Sequence, residues 1–308
     1  MLLIQDKLRL RNSLPAAFVA LVAVFAAGCA VSRKTVVKPS QRLAPLQSAT
    51  KQELVARYDR QAESVTSLNA AVTMQLTAGS AYTGVIEQYH EVNGFILAQR
   101  PASIRVIGQA PVVGTNIFDM VSDGQTFHIF IPSRNKFIEG PTVLERPSAK
   151  PIENLRPQHL TDAIFWTVIP SRAPVLFEEE SDGAAAYYVL TVVRTSGDMS
   201  TDATAPQDWE IASKIWYDRA DLNVARLETY DPGGKIASDV RYGGWDTFGT
   251  VTYPRQISLS RPDNDYKLQI GITKLTLNVP VPSDRFVLQQ PPGTELVRVG
   301  EESQEKNP

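Results

Sequence analysis

One cysteine, Cys29, stands alone in 308 residues. A single thiol can close no internal disulfide and build no zinc site, so both frameworks are excluded for this chain. Histidine is nearly as scarce: His90, His128 and His159 are far apart, and none belongs to a His-Glu-x-x-His pair. No Gly-x-Ser-x-Gly elbow, phosphate-binding glycine loop or dinucleotide fingerprint occurs either. Asp263 and Asp265 lack the glycine and closing glutamate of a calcium loop and read as a turn. The glutamates at 178–180 read as a water-facing run. With no nucleophile–base arrangement or metal set, the chain is not expected to be an enzyme. Excess positive charge is missing too, since the formal net charge is −2, which gives no reason to expect nucleic acid.

What is present begins at the N-terminus. Lys7, Arg9 and Arg11 form a basic start, followed by an uncharged apolar run from Leu14 to Gly28. That run is shorter than the about 20 residues of a membrane span. Basic start, short apolar run and small residues together read as an export signal over 1–28. Phe25-Ala26-Ala27-Gly28-Cys29 resembles the lipobox of bacterial lipoproteins, with Ala26 where leucine is commonest. The resemblance implies cleavage before Cys29 and a covalent lipid on its thiol. Ala30, in place of an aspartate, implies the outer membrane rather than the inner. An ordinary cleaved signal and an uncleaved anchor are the alternatives. Removing Lys7, Arg9, Arg11 and Asp6 from 31 Lys+Arg and 33 Asp+Glu leaves a formal charge near −4.

Residues 29–49 carry Arg33, Lys34, Lys38 and Arg42 with no acid and no regular period, and read as a flexible basic tether. As a coil it spans roughly 25 Å. Either it skims an anionic lipid surface or it is a plain spacer. The folded domain is expected over 50–299, with a disordered tail at 300–308.

Thr50-Lys51-Gln52-Glu53 fits a capping box, and Leu54, Tyr58, Gln61, Ala62 and Val65 keep helical spacing to about Leu68. The period then becomes two, with Ala70, Val72, Met74 and Leu76 on one face. Asn93-Gly94, Asp123-Gly124, Asp182-Gly183 and Asp231-Pro232-Gly233-Gly234 read as turns between about ten or eleven strands. "LRPQHLTDAIFWTVIP" (155–170) reads as a helix with Leu160, Ala163, Ile164, Thr167 and Val168 down one side. The polar stretch 195–208 reads as a loop insert. The expected fold is mainly β: a strongly curved antiparallel sheet or unclosed barrel, with an N-terminal helix and a mid-chain helical lid. After Pro111, Val112 and Val113 precede Gly114, an apolar pair expected at a turn tip.

Taken together, the segments are similar to the LolA/LolB superfamily of lipoprotein carriers and receptors, and more closely to LolB. The resemblance covers roughly 52–292. Its pieces are the helix and following strand, "GFILAQRPASIRVIGQAPVVGTNIFDMVSDG", the mid-chain helix, and "VRYGGWDTFGTVTYPRQISLSRPDNDYKLQI" with Tyr242-Gly243-Gly244-Trp245-Asp246 and Pro254. The C-terminal "VPSDRFVLQQPPGTELVRV" is more like the LolA type, and the 195–208 insert has no counterpart.

The resemblance implies an apolar cavity that holds acyl chains, with no cofactor beyond that ligand and the lipid on Cys29. By strand alternation the cavity lining is expected to include Val72, Met74, Phe95, Leu97, Ile104, Val106, Phe127, Ile129, Leu268 and Ile270. Leu160, Ile164 and Trp166 are the expected lid contacts, and Pro111–Gly114 corresponds to the loop that enters the membrane. The implied partners are membrane lipid, lipoprotein cargo and a periplasmic LolA-like carrier, for a monomeric, lipid-anchored protein on the periplasmic face of the outer membrane. LolA's lid-latching arginine has no assigned position here. A sensor or scaffold of the same fold, without cargo transfer, and a plain filled β-sandwich are the other readings.

Overall fold

The computed structural model describes residues 45–80, 84–143, 154–181, 185–195 and 209–299, all within one unit, Ala44–Pro308. The export signal, Cys29 and most of the tether lie outside the described residues. So do the Asp182-Gly183 turn, nearly all of the 195–208 insert and the tail. No helix among the described residues is long and apolar enough to cross a membrane.

The chain enters through α1 (Lys51–Ser64) and then runs through β1 (Ser67–Ser80), β2 (Val85–Gln88), β3 (Val92–Gln99), β4 (Ser103–Gln109), β5 (Asn116–Ser122), β6 (Thr126–Ile131) and β7 (Lys136–Pro141). Helix α2 (Pro157–Ile164) follows. The second half is β8 (Val175–Ser181), β9 (Ala186–Thr195), β10 (Trp209–Asp218), β11 (Val224–Tyr230), β12 (Ile236–Phe248), β13 (Val251–Arg261), β14 (Tyr266–Leu277) and β15 (Glu295–Arg298). These strands form one sheet in the order β15-β7-β6-β5-β4-β3-β1-β14-β13-β12-β11-β10-β9-β8, with β2 also on β1. Every pairing is antiparallel except β15 on β7. β8 and β15 stay at the two ends, so the sheet does not close.

The fold is therefore mainly β and unclosed, as expected, but the sheet has fifteen strands among the described residues rather than ten or eleven. Short or polar strands such as β2, β8 and β15 carry too little alternation to stand out. In the other direction, "YKLQIGI" and "KLTLNV", which look separate, form the single strand β14, whose pairing with β1 shifts register between Ala71 and Val72. The N-terminal boundary also moves. The backbone N–H of Gln47 donates to the Arg219 carbonyl at 2.7 Å and its Nε2 to the Ala220 carbonyl at 3.0 Å, so these tether residues dock on the β10–β11 turn.

The capping box forms at Thr50: its side chain accepts from the Glu53 N–H, and Glu53 Oε2 accepts from the Thr50 N–H at 2.8 Å. This satisfies donors that a helix start leaves without partners. Leu54, Tyr58 and Ala62 bury the inner stripe of α1. The helix ends at Ser64, with Val65 extended, earlier than Leu68. Asn278 accounts for the stop: its Nδ2 donates to the Ser64 carbonyl at 2.7 Å and its Oδ1 accepts the Thr66 N–H at 2.8 Å. Replacing Thr50 by alanine is expected to lower the thermal midpoint by about 2–4 °C, measured by circular dichroism; an unchanged midpoint would mean that the cap is redundant.

The other large departure is α2, which spans Pro157–Ile164 only. Thr167 is exposed, and Val168 is 40 % exposed, beyond the helix end. The chain turns extended at Phe165, and the carbonyls that a longer helix would use are taken by other elements. After β14 the chain crosses the outer face of β4–β7, where Arg105 Nη1 donates to the Arg285 carbonyl at 3.0 Å and Asn135 Nδ2 to the Gly293 carbonyl at 2.8 Å. That covering explains why Val121 and Phe137 are buried although they point away from the main core.

Candidate functional site

The inner face of the sheet is the candidate acyl surface. Strand pairing carries it across β6, β5, β4, β3, β1 and β14. Met74 opposes Ile270 and Leu76 opposes Leu268, Val72 opposes Gly94, Ile96 opposes Val106, Val106 opposes Met120, and Met120 opposes Ile129. Val72, Met74, Ile104, Val106, Phe127, Leu268 and Ile270 are buried on this side, and Ile129 packs partly buried against the same core.

Phe95 and Leu97 are not on it. Phe95 is 46 % exposed on the outer face, and Ile96 and Ala98 point inward instead. The cause is Asn93-Gly94, which is not a turn but lies within β3. A side chain at Gly94 would meet the Ile107 carbonyl oxygen at 2.4 Å and Met74 Cε at 2.6 Å, so glycine is there for close approach. Moving a strand's start by one residue inverts every side chain in it.

Helices α1 and α2 lie against this face. Leu54, Tyr58, Leu160, Ile164 and Trp166 join the strands' apolar residues in one buried cluster. The three expected lid contacts are thus all buried, with α2 docked and the inner face occupied by the chain's own side chains.

What holds α2 down is a set of hydrogen bonds to its C-terminal backbone. Arg100, in the loop after β3, donates from Nη2 to the carbonyls of Ala62 and Trp166, each at 2.8 Å, and from Nε to that of Val65 at 2.9 Å. One guanidinium thereby ties the end of α1 to the segment after α2, and it lies 5.0 Å over the Phe165 ring. Tyr242 Oη donates to the Ala163 carbonyl at 3.0 Å and Tyr253 Oη to that of Ile164 at 3.0 Å. Burial raises both phenols above their ordinary range, so they stay protonated donors at neutral pH. Asp59 completes the latch by accepting the Ile169 N–H at 2.8 Å. Trp166 fills its centre, stacked 5.2 Å from Tyr58 and donating Nε1 to Tyr242 Oη at 2.9 Å.

The Tyr242–Asp246 motif has a physical role here. Tyr242 bonds the lid, Gly244 takes a φ of 62°, Trp245 meets Trp166 edge-on at 6.0 Å, and Asp246 pairs with Arg255 at 2.7 Å. Arg100, Tyr253 and Asp59 were not legible as site residues, because their partners are backbone carbonyls and an N–H far away in sequence.

The other end of α2 holds a partly buried polar group. His159 Nδ1 lies 2.6 Å from Tyr266 Oη. Burial, reinforced by Arg261 and Arg156, lowers the imidazole pKa to about 3. Desolvation beside the packed chain raises the Asp162 carboxyl above its ordinary value although the residue is exposed at the surface, while the hydrogen bond from Gln158 and the charge of Arg261 oppose the shift. No group of three or more His, Cys, Asp or Glu side chains suited to a metal occurs among the described residues.

Between β4 and β5, residues 110–115 form a hairpin tip closed by the Gly114 N–H on the Ala110 carbonyl at 3.0 Å. Gly114 has a φ of 66° with nothing within 4 Å of an added Cβ, so it is there for the turn. Val112 is 96 % and Val113 71 % exposed.

No protein-family profile and no curated protein matches the chain. Among solved structures, the chain is similar to a LolA superfamily protein from Nitrosomonas europaea, with 14 % identity, 78 % of this chain and 99 % of that chain covered, and a TM-score of 0.46. It is similar to a DUF1329 family protein from Desulfovibrio piger, with 12 % identity, 76 % and 95 % covered, and a TM-score of 0.47. A domain from Vibrio parahaemolyticus described as outer-membrane lipoprotein-sorting gives 10 % identity, 76 % and 94 % covered, and a TM-score of 0.42.

Proposed function

We propose that this protein is an outer-membrane lipoprotein, anchored through Cys29, that receives the acyl chains of other lipoproteins and releases them into the membrane. The reading rests on the sequence resemblance to the LolA/LolB superfamily and on one structural observation: a continuous apolar sheet face covered by a short helix held through hydrogen bonds at its end. Such a cover can lift without breaking the sheet, exposing the surface an acyl chain needs. Transfer requires no covalent step. It needs only that the chain prefer the apolar face over its donor and the membrane over the face. In this reading a periplasmic carrier of the LolA type delivers the cargo, and the Pro111–Gly114 tip carries it to the bilayer.

The test mixes the Cys29→Ala chain lacking residues 1–28 with carrier loaded with a triacylated lipoprotein, followed by native mass spectrometry. The proposal expects the lipoprotein on this protein; cargo that stays on a competent carrier would sink it. At the tip, Val112→Glu with Val113→Glu is expected to leave the melting curve unchanged, since both side chains are exposed. Release of cargo into vesicles should fall at least tenfold, roughly the effect of losing one apolar anchor from the interface. Unchanged release would remove the tip from the mechanism.

A second reading, a sensor or scaffold that binds a protein partner or another lipid without handing on cargo, is favoured by the occupied inner face. Under that reading the lid stays closed and the tip substitutions have no effect on any lipoprotein.

A further inference from the structure

We propose that a cleft beside the lid latch binds a phosphate-bearing amphiphile, its headgroup held by Arg57 and Arg60 and its first methylenes lying on Trp166 and Trp245. The cleft is about 280 Å³ and runs between α1, the residues entering β11, and the β12–β13 hairpin. It opens at the edge of the buried cluster, which it reaches through Tyr58 and Trp166, and the proposal stands whether or not cargo is transferred.

Charge is the first observation. Arg57 and Arg60 are one turn apart on the exposed side of α1, a spacing that places both heads on one rim. The cleft lining contains these two arginines and neither aspartate nor glutamate, in a chain whose net charge is −2. Neither arginine forms an ion pair among the described residues. Among the described residues, Arg57 Nη2 donates to Asn223 Oδ1 alone, at 3.2 Å. Three partly buried arginines are held by carboxylates, Arg105 by Asp119 at 2.7 Å, Arg219 by Glu179 at 2.7 Å and Arg226 by Asp239 at 2.8 Å. Arg57 and Arg60 share their unpaired state with exposed Arg134, Arg172, Arg241 and Arg285, and differ from these in lining a cleft together. Asp59, between the two on the helix, is turned away to the Ile169 N–H.

The floor is the second observation. Tyr58 and Trp166 stack with their planes 9° apart, and Trp166 meets Trp245 edge-on, so the bottom of the cleft is aromatic while its rim is cationic. A rim of this kind suits an oxyanion, which guanidinium forks bind bidentately, and the floor suits hydrocarbon. The volume falls just short of the about 300–1,000 Å³ of drug-sized pockets, enough for a headgroup and the start of one chain but not for a whole lipid. An occupant would rest on Trp166, whose carbonyl Arg100 holds, and so would brace the closed lid from outside.

The test is calorimetric titration of the full chain in dodecyl maltoside with dodecyl phosphate, and separately with inorganic phosphate. We expect one saturable site for dodecyl phosphate, weakened at least tenfold in the Arg57→Gln, Arg60→Gln double variant, with inorganic phosphate binding more weakly to the same site. Because both arginines are exposed, the variant should melt as the wild type does; the melting curve separates lost binding from lost folding. Equal binding to variant and wild type, or no saturable binding, overturns the proposal. Inorganic phosphate binding as tightly as dodecyl phosphate overturns its amphiphile half and leaves a site for a free anion.

Discussion

Arg100→Ala is expected to lower folding stability by about 3 kcal/mol and to release α2 from the sheet. The guanidinium satisfies three carbonyl oxygens, of Ala62, Val65 and Trp166, and among the described residues no other side chain reaches those of Ala62 or Trp166. Removing it leaves these acceptors beside buried Phe165 and Trp166 and takes away the cation over Phe165. A charge-assisted hydrogen bond contributes about 1.5–3 kcal/mol, and the three share one donor group, so their effects do not add in full. The expected fall in thermal midpoint is about 6–12 °C. Arg100→Lys should recover only part, because an ammonium cannot reproduce the planar fork. The same substitution should raise uptake of a fluorescent fatty acid. A variant that loses stability and gains no uptake would make Arg100 a fold residue and not a latch.

Acid should act on the opposite end of α2. His159 is neutral in the fold, with a pKa of about 3 against an ordinary 6.5. Below pH 6.5 the unfolded chain takes up a proton that the folded chain refuses. Stability from this group is therefore complete above about pH 6.5 and is lost as pH falls toward 3, at about 1.4 kcal/mol per unit. Asp162 works in the other sense, since its raised pKa favours the protonated, acid form in the fold. His159→Gln keeps a hydrogen-bonding group toward Tyr266 while removing the titration. Between pH 6 and 4 the wild type is expected to lose about 3 kcal/mol relative to this variant, read from urea midpoints at each pH. Parallel pH profiles would show that the imidazole protonates freely in the fold and that α2 is looser at that end than the structure has it.

Much of this architecture is legible in the sequence. The capping box at Thr50 set the start of α1, because both of its hydrogen bonds are local and use the residues named in the pattern. The inward faces of β1, β4 and β14 followed from alternation. What could not be read is long-range or ambiguous. Leu68 fits both a helical stripe and the first positions of a strand, and only Asn278, 214 residues from Ser64, ends the helix where it ends. Asn93-Gly94 has the composition of a hairpin turn, yet Gly94 is needed for packing against β4, and that one substitution of meaning turned Phe95 and Leu97 to the wrong face. The latch is only half legible: Tyr242 and Trp166 stand out in the sequence, but the roles of Arg100, Tyr253 and Asp59 do not, since they address backbone groups far away in sequence. The cationic cleft is equally silent: two arginines at helical spacing are an ordinary solvated face until Trp245 and Val251 arrive beside them.

On the proposed function, the sheet face under α2 takes acyl chains. The most direct measurement is photolabelling of the chain with a fatty acid that carries a diazirine at its terminal carbon, followed by peptide mapping. Label is expected on inward residues such as Val72, Ile96, Val106 and Met120 and on Leu160 of the lid, with more label in Arg100→Ala than in the wild type. Label confined to outward residues such as Phe95 or to the Val112–Val113 tip, with none on the inward set in either chain, would contradict it.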